Sequence, residues 1–276
     1  MRRSHRMEKT SHPDERNRLE WERRSRFFGA SLEGVLFKGL PHVVNGHLDG
    51  WHKKVILDFI EEKDELKILD VGCGYGRLSI PLIEKFPKIN ITGLDISESY
   101  ALLYQERTGH PARIGAIEDL SGELGTFDYI LCVTVLMYLD DDRLRKAISN
   151  LLFHLKPKGK LILIEPHVSG HPFQTGFGLS SLLGDRIQRN SINTKGRYFR
   201  SGEIETRFGN AGGKVLSEQR LPITSLFFLP IALAGKMLPD GIVRGICEMV
   251  SLFDALLGRL KLPSIHVAYL ISRDED

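Results

Sequence analysis

The sequence predicts an α/β fold with an open, doubly wound and mostly parallel sheet that carries helices on both faces. Short apolar runs alternate with segments of helical periodicity from residue 49 onward. The run "FDYILCV" at 127–133 is apolar along nearly its whole length, as a strand buried on both faces should be. Acids and glycines follow the predicted strands, at the edge where parallel sheets bind ligands. Together these observations favour one ligand-binding domain.

The predicted elements follow one another in a regular order. Strands are expected at 67–71, 90–95, 112–114, 127–133, 160–165, 214–221 and 266–272. Helices are expected at 49–62, 78–86, 97–108, 141–155 and 201–210, with Ser97 capping the third of them. The segment 166–199 has no clear periodicity, and 222–263 is apolar and expected to be mostly helical.

Length and composition indicate a single elaborated domain. The chain has 276 residues, of which 42% are hydrophobic and 26% charged, as in an ordinary globular protein. A charged, flexible N-terminal segment is expected at 1–26, followed by one domain at 27–276. Within it, we expect a ligand-binding core at about 50–166 and insertions at about 167–200 and 222–264.

Charge, cysteines and hydropathy restrict the class of protein further. The net charge of +3 is too small for a typical nucleic-acid binder. The three cysteines have no CxxC spacing and are expected to be reduced thiols. The first residues lack the apolar core of a secretory signal peptide, so we expect a cytoplasmic protein. The longest apolar stretch, at 226–234, is too short to span a membrane.

Three alternating glycines, in "DVGCGYG", follow the first predicted strand. Their spacing differs from the dinucleotide fingerprint, because Arg77 stands where the third glycine of that fingerprint would fall. Asp70 precedes them, and Asp95 ends the next strand. A pyrophosphate would be repelled by Asp70, whereas a cationic ligand would be attracted. The motif therefore disfavours a nucleotide-dependent dehydrogenase.

Five segments in order carry a resemblance to a known family: "ILDVGCGYG", "ITGLDIS", "ARIGAIEDL", "FDYILCVTVLMYL" and "LKPKGKLILIEP". They resemble the class I S-adenosylmethionine-dependent methyltransferases, most closely over 56–166. The resemblance implies a seven-stranded Rossmann-like sheet with an antiparallel last strand, helical insertions over the active site, and S-adenosyl-L-methionine as cofactor.

The resemblance also implies a cofactor role for matching positions. Gly72, Gly74 and Gly76 would let the backbone approach the cofactor, and Asp70 would lie near its ammonium group. Asp95 would bind both ribose hydroxyls, Ile96 would pack on adenine, and Val133 would contact the methionine tail. The family often has an acid where Ala116 stands here; Ile117 and Glu118 would substitute for it.

Catalytic candidates follow the carboxyl ends of the strands. His167 follows the fifth strand and titrates in a useful range for a general base, and Tyr138 follows the fourth and could orient an acceptor. His47, His52, Tyr198 and His266 are weaker candidates, and Glu165 is expected to cap its strand end. No His/Asp/Glu set has metal-ligand spacing, so no metal is expected.

The apolar insertion at 222–264 is expected to roof the acceptor pocket. Its side chains favour a small-molecule or lipid-like acceptor, methylated at oxygen, and no nucleic acid. Packing within the insertion or a dimer interface would explain them equally well, and basic residues in 222–262 would suit peripheral membrane contact. Two alternatives stay open: a methyltransferase acting on a protein or nucleic acid, and a non-catalytic partner-binding subunit. The acceptor and the oligomeric state do not follow from the sequence.

Overall fold

A mixed seven-stranded sheet forms the centre of the computed structural model, which describes residues 13–38, 40–63, 65–120, 122–167 and 196–274. The strands are β1 (Lys67–Val71), β2 (Asn90–Asp95), β3 (Ala112–Ile114), β4 (Phe127–Val133), β5 (Leu155–Pro166), β6 (Gly213–Arg220) and β7 (His266–Arg273). Their order is β3-β2-β1-β4-β5-β7-β6, and β7 runs antiparallel to both of its neighbours. The predicted fold class is confirmed.

Burial on both faces explains the composition of the central strands. β1 and β4 pair in parallel, with Ile68 opposite Tyr129 and Val71 opposite Cys132. These side chains are almost completely excluded from solvent. A strand covered on both faces needs apolar side chains at successive positions, which is why no alternation of polar and apolar residues marks these strands.

Helices cover both faces of the sheet. They are α1 (Pro13–Phe28), α2 (Leu32–Val35), α3 (His42–Phe59), α4 (Ser79–Lys85), α5 (Glu98–Thr108), α6 (Asp141–Phe153), α7 (Glu203–Gly209), α8 (Pro222–Leu226), α9 (Phe228–Met237) and α10 (Asp240–Leu257). Two begin at side-chain caps: Ser97 accepts a hydrogen bond from Tyr100 N, and Asp140 accepts one from Arg143 N.

The insertion between β6 and β7 has its own hydrophobic cluster. Val243, Cys247 and Val250 of α10 pack with Val44 and Leu48 of α3. The apolar composition of 222–264 therefore serves in part to fix these helices against α3. No helix of the described residues is long and apolar enough to cross a membrane.

The structure differs from the sequence-based expectations at two helices and one strand. α1 is helical from Pro13 and docked, whereas a flexible segment was expected up to residue 26. α3 begins at His42 instead of 49, and β5 begins at Leu155 instead of 160 because Leu155 pairs with Phe127. The expectation for 167–200 falls mostly outside the described residues.

Candidate active site

A cavity opens at the carboxyl edge of β1, β2 and β4. Side chains and backbone from the strand ends, α1, α2 and α6 line it: Asn17, Trp21, Val35, Val71, Gly72, Cys73, Gly74, Tyr75, Arg77, Leu78, Leu94, Asp95, Ile96, Tyr100, Gly115, Ile117, Glu118, Val133, Thr134, Val135, Tyr138, Leu139 and Arg143. Most of the predicted cofactor residues therefore meet in one space.

The glycine loop after β1 is held by the end of β2. Gly72 has a φ of 69°, in the left-handed region that favours glycine, and its N–H donates to Leu94 O at 2.7 Å. Asp95 Oδ2 accepts from Gly74 N, and Oδ1 accepts from Ser97 N, both at 2.9 Å. Burial raises the pKa of Asp95 to about 6. Asp95 thus connects the loop to the start of α5.

Two predicted cofactor residues, Asp70 and Gly76, do not line this cavity. The Asp70 carboxylate is buried and accepts from Ser79 Oγ at 2.7 Å, and Tyr104 Oη donates to the same Ser79 oxygen at 3.0 Å. Burial raises the pKa of Asp70 to about 6. In this arrangement Asp70 orients the start of α4, and its predicted role beside an ammonium group stays a prediction.

The edge of the cavity beyond β3 carries an ion pair. Glu118 Oε1 accepts from Arg143 Nε at 2.8 Å and from Arg143 Nη2 at 2.6 Å. Both residues line the cavity, as does Ile117, whereas Ala116 does not. A partly neutralised carboxylate is therefore present two residues after Ala116, the position where an acid was expected from the resemblance.

The segment after β4 has a constrained backbone. Thr134 lines the cavity with a φ of 56°, which is uncommon outside glycine and recurs at functional sites. Glu165 at the end of β5 accepts from the amides of Val135, Leu136 and Met137 at 3.0, 2.7 and 3.3 Å. These bonds satisfy amides that would otherwise be buried without partners, so Glu165 fixes the turn that follows β4.

Helix α1 forms a wall of the cavity that the sequence reasoning missed. Asn17 Nδ2 donates to Tyr138 O at 3.2 Å, and the rings of Trp21 and Tyr138 meet edge to face at 5.4 Å. Glu22 accepts hydrogen bonds from the hydroxyls of Ser97 and Ser99. Burial opposes ionisation of Glu22, but these bonds lower its pKa to about 2. The sequence signal was weak: Trp21 is the one large apolar residue of this highly charged helix that lines the cavity.

A buried polar network extends from the cavity beneath α3. Arg77 Nη1 donates to Asp49 Oδ1 at 2.8 Å, and both Arg77 Nη atoms lie 3.4 Å from His52 Nδ1. Because arginine only donates, His52 Nδ1 accepts and Nε2 carries the proton that bonds His266 Nδ1 at 2.9 Å. Burial lowers the pKa of His52 and that of His266, the latter to about 3, so both rings are neutral.

The two predicted catalytic residues occupy different places. Tyr138 lines the cavity, and burial raises the pKa of its phenol. His167 does not line the cavity. Its Nε2 bonds Tyr269 Oη at 3.0 Å, and burial lowers its pKa to about 4.

The weaker candidates also lie apart from the cavity. His47, in α3, bonds Thr224 Oγ1 at 2.8 Å, and Tyr198 is partly exposed; neither lines the cavity. Within the described ranges, no residue of 222–264 lines it either, so the predicted roof instead packs on α3. The described residues contain no His, Cys, Asp and Glu group suited to a metal ion.

Residues 68–159 match the model of a family described as "Methyltransferase domain". The chain is 28% identical over 157 residues to a tRNA N(3)-cytidine methyltransferase, METTL2B, of Homo sapiens, covering 53% of this chain and 41% of that protein. It is also 28% identical over 180 residues to a ubiquinone biosynthesis O-methyltransferase of Rickettsia canadensis (strain McKiel), covering 63% of this chain and 73% of that protein.

A solved structure shares the fold over nearly the whole chain. Geranyl diphosphate C-methyltransferase from Streptomyces coelicolor A3(2), in complex with Mg²⁺, geranyl diphosphate and S-adenosyl-L-homocysteine, superposes with a TM-score of 0.63 and 13% identity. The alignment covers 96% of this chain and 99% of that one. At this identity the likeness concerns the fold, including the helices added around the sheet.

Proposed function

We propose that this chain, which belongs to the class I S-adenosylmethionine-dependent methyltransferase family, transfers a methyl group to a small-molecule or lipid-like acceptor at oxygen. The observation that carries the proposal is the Asp95 carboxylate. It is buried at the cavity, bonded to the amides of Gly74 and Ser97, and it has no cationic partner among the described residues. A carboxylate can accept about four hydrogen bonds, so both oxygens keep capacity for a ligand.

The residues of the cavity fit S-adenosyl-L-methionine chemically. Asp95 and Glu118 place two carboxylates around a space that would receive a ligand with ammonium and sulfonium charges. Tyr100 Oη lines the same cavity, is buried, and has no hydrogen-bond partner in the described chain. Ile96, Ile117 and Val133 would contact the apolar parts of the ligand. When bound, this cofactor supplies an electrophilic methyl group on sulfur.

The chain's own groups would mainly align the acceptor and exclude water. Methyl transfer from a sulfonium needs a nucleophile held close and in line, and little else from the protein. Trp21 and Val135 would keep water away, and Tyr138 would orient the acceptor's hydroxyl. His167 remains only a predicted general base: it does not line the cavity, and burial lowers its pKa to about 4, which opposes proton uptake at pH 7.

The acceptor is proposed from the lining of the cavity and from two relatives. Apolar side chains of Trp21, Val35 and Leu139 face the space beside the glycine loop. The Rickettsia relative is named for ubiquinone biosynthesis and O-methylation, and the Streptomyces structure holds geranyl diphosphate. The Rickettsia name supports an acceptor methylated at oxygen, whereas the Streptomyces enzyme is a C-methyltransferase and shares only the fold with this chain.

A second candidate is methylation of RNA, which the human relative favours. RNA binding requires cations that are free to meet phosphates. The arginines at the cavity are engaged otherwise, Arg77 with Asp49 and Arg143 with Glu118. We therefore rank RNA below a small acceptor, and a filter-binding assay with bulk tRNA at low salt separates the two.

The first experiment is calorimetric titration with S-adenosyl-L-homocysteine. We expect a dissociation constant in the micromolar range, about −8 kcal/mol. Asp95→Ala removes charge-assisted hydrogen bonds worth about 1.5–3 kcal/mol, so binding should weaken by about tenfold or more. Asp119→Ala, at an exposed acid outside the cavity, is the matched control and should bind as the wild type. Absence of binding by the wild type would overturn the proposal.

A further inference from the structure

Helix α10 presents two different surfaces besides the one it buries. Val243, Cys247 and Val250 face the α3 cluster. On one flank, Arg244, Glu248 and Ser251 line a polar groove shared with α3. The other flank does not line that groove in the described structure, and it lies open to solvent. Among the described residues, the helix therefore packs mainly through the side that faces α3, and most of its outer flank is exposed.

The outer flank is apolar along its whole length. We call it the outer stripe: Ile242, Ile246, Met249, Leu252, Phe253 and Leu256. Leu252 and Leu256 are 70% and 76% exposed, whereas Ile246, at the edge of the stripe, is half-buried and packs against the α3 cluster. Spacings of three and four residues place these side chains on one face of a helix. No charged residue interrupts the stripe, and a patch of this size on a folded protein marks an interaction site.

Both ends of the outer stripe extend into further exposed apolar residues. Met237, just before α10, is 81% exposed, and Leu238 follows it. Beyond the helix, Leu260 and Leu262 are also exposed. The apolar surface therefore continues past both ends of the helix.

Basic residues flank this apolar surface. Lys236 precedes it, and Arg259 and Lys261 follow it, with Asp240 as the single acid at the ends. Arg259 lies at the border of the stripe, since it also lines the end of the groove shared with α3. None of these three cations forms an ion pair in the part of the chain that the structure describes. An apolar helical face flanked by free Lys and Arg is the composition that binds anionic membrane surfaces.

The same charges argue against a second copy of this chain. In a parallel pairing of two stripes, Arg259 and Lys261 would meet their own equivalents. In an antiparallel pairing they would meet Lys236, with only Asp240 to offset them. Juxtaposed like charges oppose association in either orientation. An anionic lipid surface, in contrast, attracts the cations at both ends.

We propose that the outer stripe docks on the surface of a bilayer containing anionic phospholipid, with α10 lying in the plane of the interface. Ile242, Met249, Phe253 and Leu256 enter the headgroup boundary, and Lys236, Arg259 and Lys261 contact phosphate. The side chains of α10 that pack on α3 hold the docked helix against the element that carries Asp49 and His52. The docking site is thus connected to the cavity through α3 and Arg77, which lines the cavity and bonds Asp49, whatever reaction the cavity performs.

The test is flotation of the purified full chain with vesicles of phosphatidylcholine and phosphatidylglycerol in equal amounts. The wild type should float with these vesicles, and more weakly with pure phosphatidylcholine or at high salt. Phe253→Gln/Leu256→Gln should weaken binding by at least about tenfold, because two exposed side chains lose their transfer into the interface. Arg259→Gln/Lys261→Gln should weaken it about tenfold with anionic vesicles only.

A matched control carries the same residue types at a distant surface. Leu102→Gln/Phe153→Gln alters a leucine and a phenylalanine that are 58% and 61% exposed, and it should float as the wild type. Equal flotation of Phe253→Gln/Leu256→Gln and of the control Leu102→Gln/Phe153→Gln, or no flotation of the wild type, would overturn the proposal. So would a dimer of the wild type that Phe253→Gln/Leu256→Gln converts to a monomer, because a second copy would then cover the stripe.

Discussion

Replacing Gly72 by alanine tests how closely the glycine loop approaches the end of β4. An added Cβ would lie 2.5 Å from Val135 Cγ2, and the φ of 69° disfavours any side chain. The left-handed backbone costs about 1–2 kcal/mol for an L-residue, and overpacking about 1–3 kcal/mol. We therefore expect Gly72→Ala to lower the free energy of unfolding by about 2–5 kcal/mol.

Two further variants separate the backbone from the contact. Gly109 has a φ of 70° with nothing within 4 Å of an added Cβ, so Gly109→Ala should cost the backbone component alone, about 1–2 kcal/mol. In a Val135→Ala background the obstructing methyl is gone, and the cost of Gly72→Ala should fall to that of Gly109→Ala. Urea denaturation measures the free energy of unfolding of the wild type and of the four variants, which include Val135→Ala alone and combined with Gly72→Ala. If Gly72→Ala lowered the free energy of unfolding equally in the wild-type and Val135→Ala backgrounds, the close contact between Gly72 and Val135 would be refuted.

Two pH dependences should run in opposite directions. Burial lowers the pKa of His167 to about 4, so the unfolded chain takes up this proton first as the pH falls below 6.5. The free energy of unfolding of the wild type should therefore fall by about 1.4 kcal/mol per pH unit relative to that of His167→Gln between pH 6.5 and 4, as measured by urea denaturation. A flat difference would mean that His167 is solvated. Burial raises the pKa of Glu165 to about 8, so wild type should lose stability relative to Glu165→Gln as the pH rises from 4.5 to 8, by up to about 1.4 kcal/mol per unit. A wild-type advantage that grows with pH would instead show that the three amide donors outweigh burial.

The central sheet could be predicted because its strands are buried on both faces. Apolar runs such as 127–133 and the glycines after β1 carry their own local signal, and these elements have the predicted bounds. The start of β5 could not be predicted, because "LKPKG" contains a proline and polar residues; only its pairing with Phe127 makes it part of the strand.

The residues of the candidate site that lie at the strand ends could be predicted from the sequence. The residues that other segments add to the site could not. Asp95, Glu118 and Tyr138 line the cavity as positions after β2, β3 and β4. Helix α1 has few apolar residues, so its docking depends on Glu22 meeting two serine hydroxyls far along the chain. Such a polar contact has no periodic signature in the sequence. The same holds for the hydrogen bond that joins His52 to His266.

The docking of α1 has a consequence for how this protein could be divided. The segment that matches the family model, 68–159, does not contain every residue that lines the cavity. Asn17, Trp21 and Val35 also line the cavity and precede that segment. A fragment trimmed to that segment would retain the glycine loop and Asp95 but would lack one side of its own chamber. Conversely, exchanging only α1 and α2 between relatives would alter the chamber while leaving Asp95 and Glu118 untouched. A fragment that keeps the whole lining of the cavity therefore has to include α1.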